Sequence, residues 1–225
     1  MASDTDHEPK PRRRALAKPL HHFDGSGFLP LPPPDILPDL PFSDVLATRR
    51  SAVSGPVTKQ HLGTLAWHVS CRRRGGPGRF GLPWEGRASP SAGGLHIISI
   101  LCIPLEDRAE VGVYDRDFHG LRLLKHPEPL RRANAESVEL LCSGKGGTTL
   151  QFVADAARLA SCYENSQTLL WRDSGALATT ICMVATSLGL TSVVLGRTGQ
   201  ELFERTGCPI NLLPAGAVHI GAPIQ

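Results

Sequence analysis

Long apolar runs are missing from this 225-residue chain. None approaches the roughly 18 uncharged residues that a membrane-crossing helix requires, which excludes a membrane-spanning protein. Residues 1–20 hold a basic cluster at 12–14 with no apolar stretch behind it, so they do not read as a secretory signal. Aromatic residues are scarce, at 5%, but 41% hydrophobic content is too much for a disordered chain. The six cysteines lie at least 20 residues apart with no CxxC and no Cys/His cluster, so zinc ligation by local spacing is excluded and buried thiols in a reducing compartment are expected. His21 and His22 read as a solvated pair. There is no G-x-S-x-G elbow for a serine hydrolase and no G-x-G-x-x-G after a strand for a dinucleotide. SGKGGTT at 143–149 imitates a phosphate loop but has Glu139 where the first glycine belongs and Gly146 where a hydroxyl belongs, so it reads as a turn. A soluble, cytoplasmic globular protein is the expectation that remains.

Charge is present in one place. The net charge is only +3, yet residues 71–87 (CRRRGGPGRFGLPWEGR) carry five arginines and one glutamate, more than the surplus of the whole chain. Such a patch steers anionic partners, nucleic acid among them. The arginines lie in a Gly/Pro-rich loop with only Phe80 and Trp84 interleaved and without a recognition helix, which ranks nucleic acid last. A mobile lid near an anionic ligand, or a contact for an acidic partner, is the preferred reading.

Residues 1–28 read as a flexible leader and 29–225 as one domain. Within it, 29–41 form a proline-rich extended arm whose Leu29, Leu31, Ile36, Leu37 and Leu40 favour laying it across the domain. Ser43 looks like the N-cap of a short helix SDVLATRR, and Thr58 opens a second with Leu62, Leu65, Ala66 and Val69 on one face. LHIISILCI, from 95 onward, reads as a buried strand. VGVY (111–114) and LRLL (121–124) read as an antiparallel pair. TTLQFVAD (148–155) is a further strand. Residues 173–189 form the clearest helix, striped by Leu177, Ile181, Val184, Ala185 and Leu188 and stopped at Gly189. TSVVL, a short helix QELFERT closed by Gly207, and AVHI (217–220) complete an α+β arrangement of a central sheet with helices on it.

Two segments carry chemistry. Arg49, Arg50 and Ser51 cluster two guanidiniums and a hydroxyl at a helix end, which suits a phosphate dianion; a helix-dipole role for the arginines is as good a reading of those residues alone. Arg87, followed by Pro90, Ser91, Ala92, Gly93 and Gly94, puts small residues where backbone can approach a flat ligand.

Together these segments resemble the flavin-dependent nitroreductase family, in particular its azoline-dehydrogenase (SagB-type) branch. That branch shows R-R-S-x-R after a proline-rich lead-in, a leucine-bearing helix with a tryptophan (here LGTLAWHV), then R-x-x-P-S-A-G-[GA] entering a strand. Arg158 to Tyr163 and then Gly175, Ala176 and Leu177 opening a long helix that ends Leu188-Gly189-Leu190 look like the family's R…K-Y…E-A-G-H…L-G-L block. The resemblance implies a nitroreductase-like three-layer sandwich, with a mostly antiparallel central sheet flanked by helices, in a homodimer carrying two FMN molecules. It also implies that Arg49, Arg50 and Ser51 take the phosphate end and Pro90, Ser91, Ala92 and Gly93 line one edge of the ring. Leu195 and Gly196 approach the ring from the following strand, and Arg87 supplies a cation at the pyrimidine edge. The implied activity is oxidation or reduction of a peptide-derived or small organic substrate in a biosynthetic pathway, with Tyr163 the surviving member of a Lys-Tyr pair. The chain departs from the pattern at Val53 (third basic position), Cys162 (the lysine), Asp173-Ser174-Gly175-Ala176 (no histidine) and a C-terminus without basic residues. Those departures support a second expectation, a subunit of the same fold with weak or lost flavin binding that acts as scaffold or partner.

Overall fold

The fold follows from two opposed apolar faces on one sheet. A computed structural model describes residues 7–16, 25–52, 55–143, 146–208, 210 and 212–223. Its principal sheet has seven strands: β2 (Phe28–Pro30), β5 (Ile98–Pro104), β6 (Gly112–Asp115), β7 (Gly120–Leu123), β8 (Thr148–Ala154), β10 (Thr191–Leu195) and β11 (Leu213–Gly221). Their order is β10-β11-β8-β5-β6-β7-β2, with every pairing antiparallel. Two short ribbons stand apart from it: β1 (Lys10–Pro11) with β9 (Tyr163–Glu164), and β3 (Arg74–Pro77) with β4 (Pro83–Gly86).

Alternation along the strands sorts the side chains to two sides. Ile100, Cys102, Leu150, Phe152, Val218 and Ile220 meet Leu62, Leu65, Ala66 and Val69 of α2 (Lys59–Ser70) and Leu177, Ile181 and Ala185 of α5 (Gln167–Ser187). Their sequence neighbours Leu101, Ile103 and Val153 face the other way, onto Leu130 and Ala133 of α3 (Glu128–Cys142) and Leu202 and Phe203 of α6 (Gln200–Thr206). Helices on both faces of an antiparallel sheet make the expected α+β three-layer sandwich. No helix among the described residues is long and apolar enough to cross a membrane.

Several boundaries differ from expectation. The first helix, α1 (Phe42–Thr48), starts one residue before Ser43, whose hydroxyl bonds Asp44 rather than capping the helix, and it ends before the arginines. Thr58 does cap α2, accepting the N–H of His61 at 3.1 Å. α5 begins six residues ahead of Asp173, and the Arg-rich stretch expected as a loop contains the β3–β4 hairpin. α3 is absent from the sequence reading; Pro127 and Pro129 flank its start. Pro tolerates the first turn of a helix, where its missing N–H costs nothing. α4 (Ala156–Cys162), capped by the Asp155 carboxylate on the Arg158 N–H, was likewise absent from the sequence reading.

The proline-rich arm runs across α2. Leu31 donates to the His119 carbonyl, Asp35 N–H donates to Thr64 Oγ1 at 3.0 Å, and Gln60 Nε2 donates to Pro33 O at 2.9 Å. Ahead of it, residues 10–16 lie against α4 and β9, with Arg12 paired to Glu164 at 2.9 Å. His21, His22 and Val53 lie outside the described residues.

Phe152 is fully buried at the centre of the α2/α5 face. Phe152→Ala is expected to cost about 3–5 kcal/mol in denaturant unfolding, whereas Leu140→Ala on the solvent side of α3, at 86% exposure, should stay within about 0.5 kcal/mol.

Candidate functional site

At the end of the sheet where β5 begins, the segment 90–96 is tied to α5 by one carboxylate. Ser91 Oγ donates to Asp173 Oδ2 at 2.6 Å, and the Ala92 N–H donates to Asp173 Oδ1 at 3.0 Å. The His96 N–H closes the turn on Ser91 Oγ at 3.0 Å. Burial raises the Asp173 carboxyl above its ordinary range, and the Ser91 and Ala92 bonds pull it back. Gly93 and Gly94 both sit at positive φ, 60° and 64°. A Cβ on Gly93 would stand 2.9 Å from the Tyr163 hydroxyl and from a Phe80 ring carbon, so this turn requires glycine for its conformation and for space.

Tyr163 therefore lies against the small-residue segment, its ring edge-on to Phe80 with centroids 5.0 Å apart. Desolvation raises its phenol above the ordinary value, which keeps the hydroxyl protonated near neutral pH. It can donate a hydrogen bond or a proton there; it is no base. Cys162, beside it, is fully buried.

Arg87 shares Glu85 with Arg116. Arg87 donates Nε and Nη2 to Glu85 Oε2 at 3.0 and 2.8 Å; Arg116 donates Nη2 to Oε1 at 2.7 Å and Nη1 to Oε2. The Arg116 hydrogen bond, helped by Arg87 and opposed by burial, pulls the Glu85 carboxyl down to about 2. Asp117 also pairs with Arg116 Nε at 3.4 Å, so two guanidiniums are balanced by two carboxylates, of which Asp117 is exposed. His96 stands beside them with Nε2 donating to the Glu85 carbonyl at 2.9 Å. Burial and the Arg87 cation push its imidazole down to about 4, so it is neutral. These groups line a cleft of about 280 Å³ bounded further by Ser99, Tyr114 and Arg122. A void of about 30 Å³ between Ser70, Ser89, Ser91 and Asp173 has room for one water.

The other candidates lie elsewhere. Ser51 bridges Ser192 on edge strand β10, Ser192 pairs with Ile220, and Ile220 with Thr148. Segment 90–96 leads to Ile98, which pairs with Ala154 at the opposite end of β8. Six strand steps separate the two ends, roughly 20 Å, and the 14 residues of α5 between Asp173 and Ser187 span about the same. Within one chain, residues 49–51 and 90–93 are thus held apart.

At the β10 end, the Arg49 side chain makes no hydrogen bond or ion pair among the described residues, while Arg50 donates Nη1 to the Ala47 and Arg49 carbonyls at 2.7 and 2.9 Å. Arg50 therefore performs the helix-end role. The Ser192 hydroxyl, buried near Ser51, has no hydrogen-bond partner among the described residues. Leu195 spends its side chain in a cluster with Val138 and Ala217, whereas Gly196 has open space around its α-carbon. Arg197, next in the chain, donates Nη2 to Asn134 Oδ1 at 2.5 Å but leaves Nε and Nη1 buried without partners. Burial lowers its guanidinium to about 10.

Sequence reasoning missed Glu85, Arg116 and His96 as one cluster, and missed Asp173 as the anchor of Ser91. Partners 31 and 82 residues apart leave no periodic trace. No group of His, Cys, Asp and Glu among the described residues could hold a metal ion.

No protein-family profile and no curated protein sequence matches the chain. Solved structures do. A candidate nitroreductase from Ralstonia eutropha is 22% identical, with a TM-score of 0.66 over 97% of this chain and 100% of that one. A candidate NADH oxidase from Clostridium acetobutylicum is 18% identical, with a TM-score of 0.51 over 81% of this chain and 89% of its own. Nitroreductase A from Vibrio parahaemolyticus is 18% identical, with a TM-score of 0.52 over 82% and 67%. The chain has the nitroreductase fold; at these identities the chemistry has to be read from its own residues.

Glu85 supplies a pH signature. Its folded value, near 2, lies below the ordinary 4.5, so its contribution is present above 4.5 and is lost as pH falls toward 2. In thermal melts from pH 7 to 2, Glu85→Gln should lower stability at neutral pH and flatten the decline across that window.

Proposed function

We propose that the chain is an FMN-dependent oxidoreductase of the nitroreductase type, working as a homodimer on a peptide-derived or small organic substrate in a biosynthetic pathway. The observation that carries this is the placement of the two candidate segments at opposite ends of α5 in a nitroreductase fold. A ring site made from both needs residues 49–51 of one chain beside residues 90–93 of a second. Phe42 and Leu46 of α1 and Val194 of β10 surround the Ser51 end at 67%, 51% and 56% exposure, which supports a partner surface there.

The residues fit the cofactor unevenly, but they fit. Arg49 and the Ser51 hydroxyl are available for a phosphate, with Arg50 committed largely to α1. Gly196 leaves backbone open beside the partnerless nitrogens of Arg197. Pro90 is exposed and Gly93 has no side chain, so segment 90–93 can lie close to a flat ring. Ser91 Oγ and the Ala92 N–H are held by Asp173 and contribute shape more than hydrogen bonds. FMN, when bound, supplies two-electron transfer between an organic donor and an acceptor. Around it, the Arg87 guanidinium, held by Glu85, would place a cation, and Tyr163 holds a proton at its hydroxyl for delivery to substrate. The scaffold reading rests on the commitment of Arg50, Ser91 and Ala92 to internal bonds and on the burial of Cys162 in the lysine position.

Purified protein is expected to be yellow, or to take up added FMN with flavin absorbance bands. Arg49→Ala should weaken that uptake by about 10- to 100-fold and Arg50→Ala by far less. Tyr163→Phe should leave uptake unchanged and lower turnover with a reducible substrate. Colourless protein that ignores FMN overturns this reading in favour of the scaffold.

A further inference from the structure

The segment that holds the β3–β4 hairpin carries four exposed arginines, Arg72, Arg73, Arg74 and Arg79, and the flavin reading gives it no task. Its register pairs Arg74 with Gly86, Gly75 with Glu85 and Gly76 with Trp84. Cross-strand partners share a face, so Glu85 points to the body of the protein, where Arg116 and Arg87 hold it, while Arg74 and Trp84 share the opposite face. That outer face is shaped by glycine. A Cβ on Gly76 would stand 3.2 Å from Trp84 Nε1, and one on Gly86 would stand 3.4 Å from the indole. The ring therefore lies over bare backbone, with Arg74 beside it, and remains 37% exposed. Arg72, Arg73 and Arg79 are exposed elsewhere on the same segment, Arg72 on the Glu85 side against Gly75 and Arg73 reaching the His68 carbonyl at 3.5 Å. None of these four arginines has a carboxylate partner among the described residues, and the hairpin joins no other strand.

We propose that this hairpin is a docking surface for an acidic, extended peptide segment carrying an apolar or aromatic side chain. Carboxylates match the guanidinium fork in bidentate fashion, the indole offers a flat apolar platform, and an open strand edge offers backbone hydrogen bonds to an extended chain. Charge complementarity selects the class: Arg74 stands beside the ring, and three more arginines without a carboxylate partner among the described residues lie on the same short segment. A duplex contact draws on a broader set of cations, and single-stranded nucleic acid on a succession of stacking rings. The opposite face of the hairpin, through Glu85, lines the cleft of Arg87, His96 and Tyr114, and a Cβ on Gly94 would stand 3.1 Å from the Trp84 side chain, so the docking face also borders the small-residue turn. The inference stands apart from the flavin reading, because peptide docking does not depend on any cofactor.

The test uses the full chain and three fluorescein-labelled probes: a twelve-residue peptide alternating glutamate and leucine, its glutamine–leucine counterpart, and a twelve-nucleotide thymidine strand. Anisotropy should show binding of the glutamate peptide, weakened as salt rises, at least about 10-fold tighter than either other probe. Trp84 emission should change on binding, and Trp84→Phe should remove that change. Arg72→Glu/Arg73→Glu/Arg74→Glu, all on exposed side chains, should weaken the peptide by about 30-fold or more, whereas Lys125→Glu/Arg132→Glu should not. Circular dichroism checks the fold of each variant, and the salt titration of the unaltered protein keeps the test valid should the triple variant not fold. Absence of peptide binding, equal binding of the glutamine peptide, tighter binding of the thymidine strand, or a triple variant that binds as before would each overturn the proposal. Flavin uptake measured in the same preparation reports on the other reading separately.

Discussion

One buried carboxylate sets the geometry of the candidate ring-edge segment. Asp173 sits on the central helix, which is itself clamped by apolar contacts to the sheet and to α2, so its position is fixed by the core. From there it holds a hydroxyl and a backbone N–H of residues 91 and 92, and the Ser91 oxygen in turn receives His96. Two left-handed glycines follow, a conformation glycine adopts at little cost. Removing the anchor would free a segment with little side-chain bulk to hold it. The same carboxylate explains why the motif's polar residue is not a ligand in waiting: its donor is already used.

Electrostatics divides the molecule along the same axis. Near the start of β5, charges come in shared sets, with two arginines on Glu85 and Arg122 on Asp115, and the neutral His96 between them. Near Ser51 the opposite holds: the Arg49 side chain and the buried Ser192 hydroxyl lack hydrogen-bond partners among the described residues. A buried or half-buried polar group without a partner costs free energy in the isolated chain. That cost is what an anionic ligand would relieve, and the phosphate side proposed above lies at this end.

How much of this could be read from the chain depended on range in sequence. Thr58 and its helix, the strand that became β5, and the stripe of Leu177, Ile181 and Ala185 are local patterns of period 2 or 3.6, and they were legible. α3 was hidden by prolines at its first turn and by charge around a narrow apolar face. The hairpin was hidden because its glycines and prolines also describe a loop. The roles of Arg49, Gly93 and Tyr163 came from a family likeness. Physical reasoning alone could not have told that Arg50 would turn back onto Ala47, or that Glu85 would serve two arginines, because those choices are made by tertiary contacts.

The rigidity of α5 has a consequence for how the protein would respond to dilution. A 21-residue helix wedged between sheet and α2 cannot shorten, so no side-chain motion within one polypeptide closes the gap between its two ends. If the redox centre is assembled from both ends, it exists only while two polypeptides are associated. Cofactor retention then follows mass action in the protein itself, with loss of FMN and dissociation becoming one event.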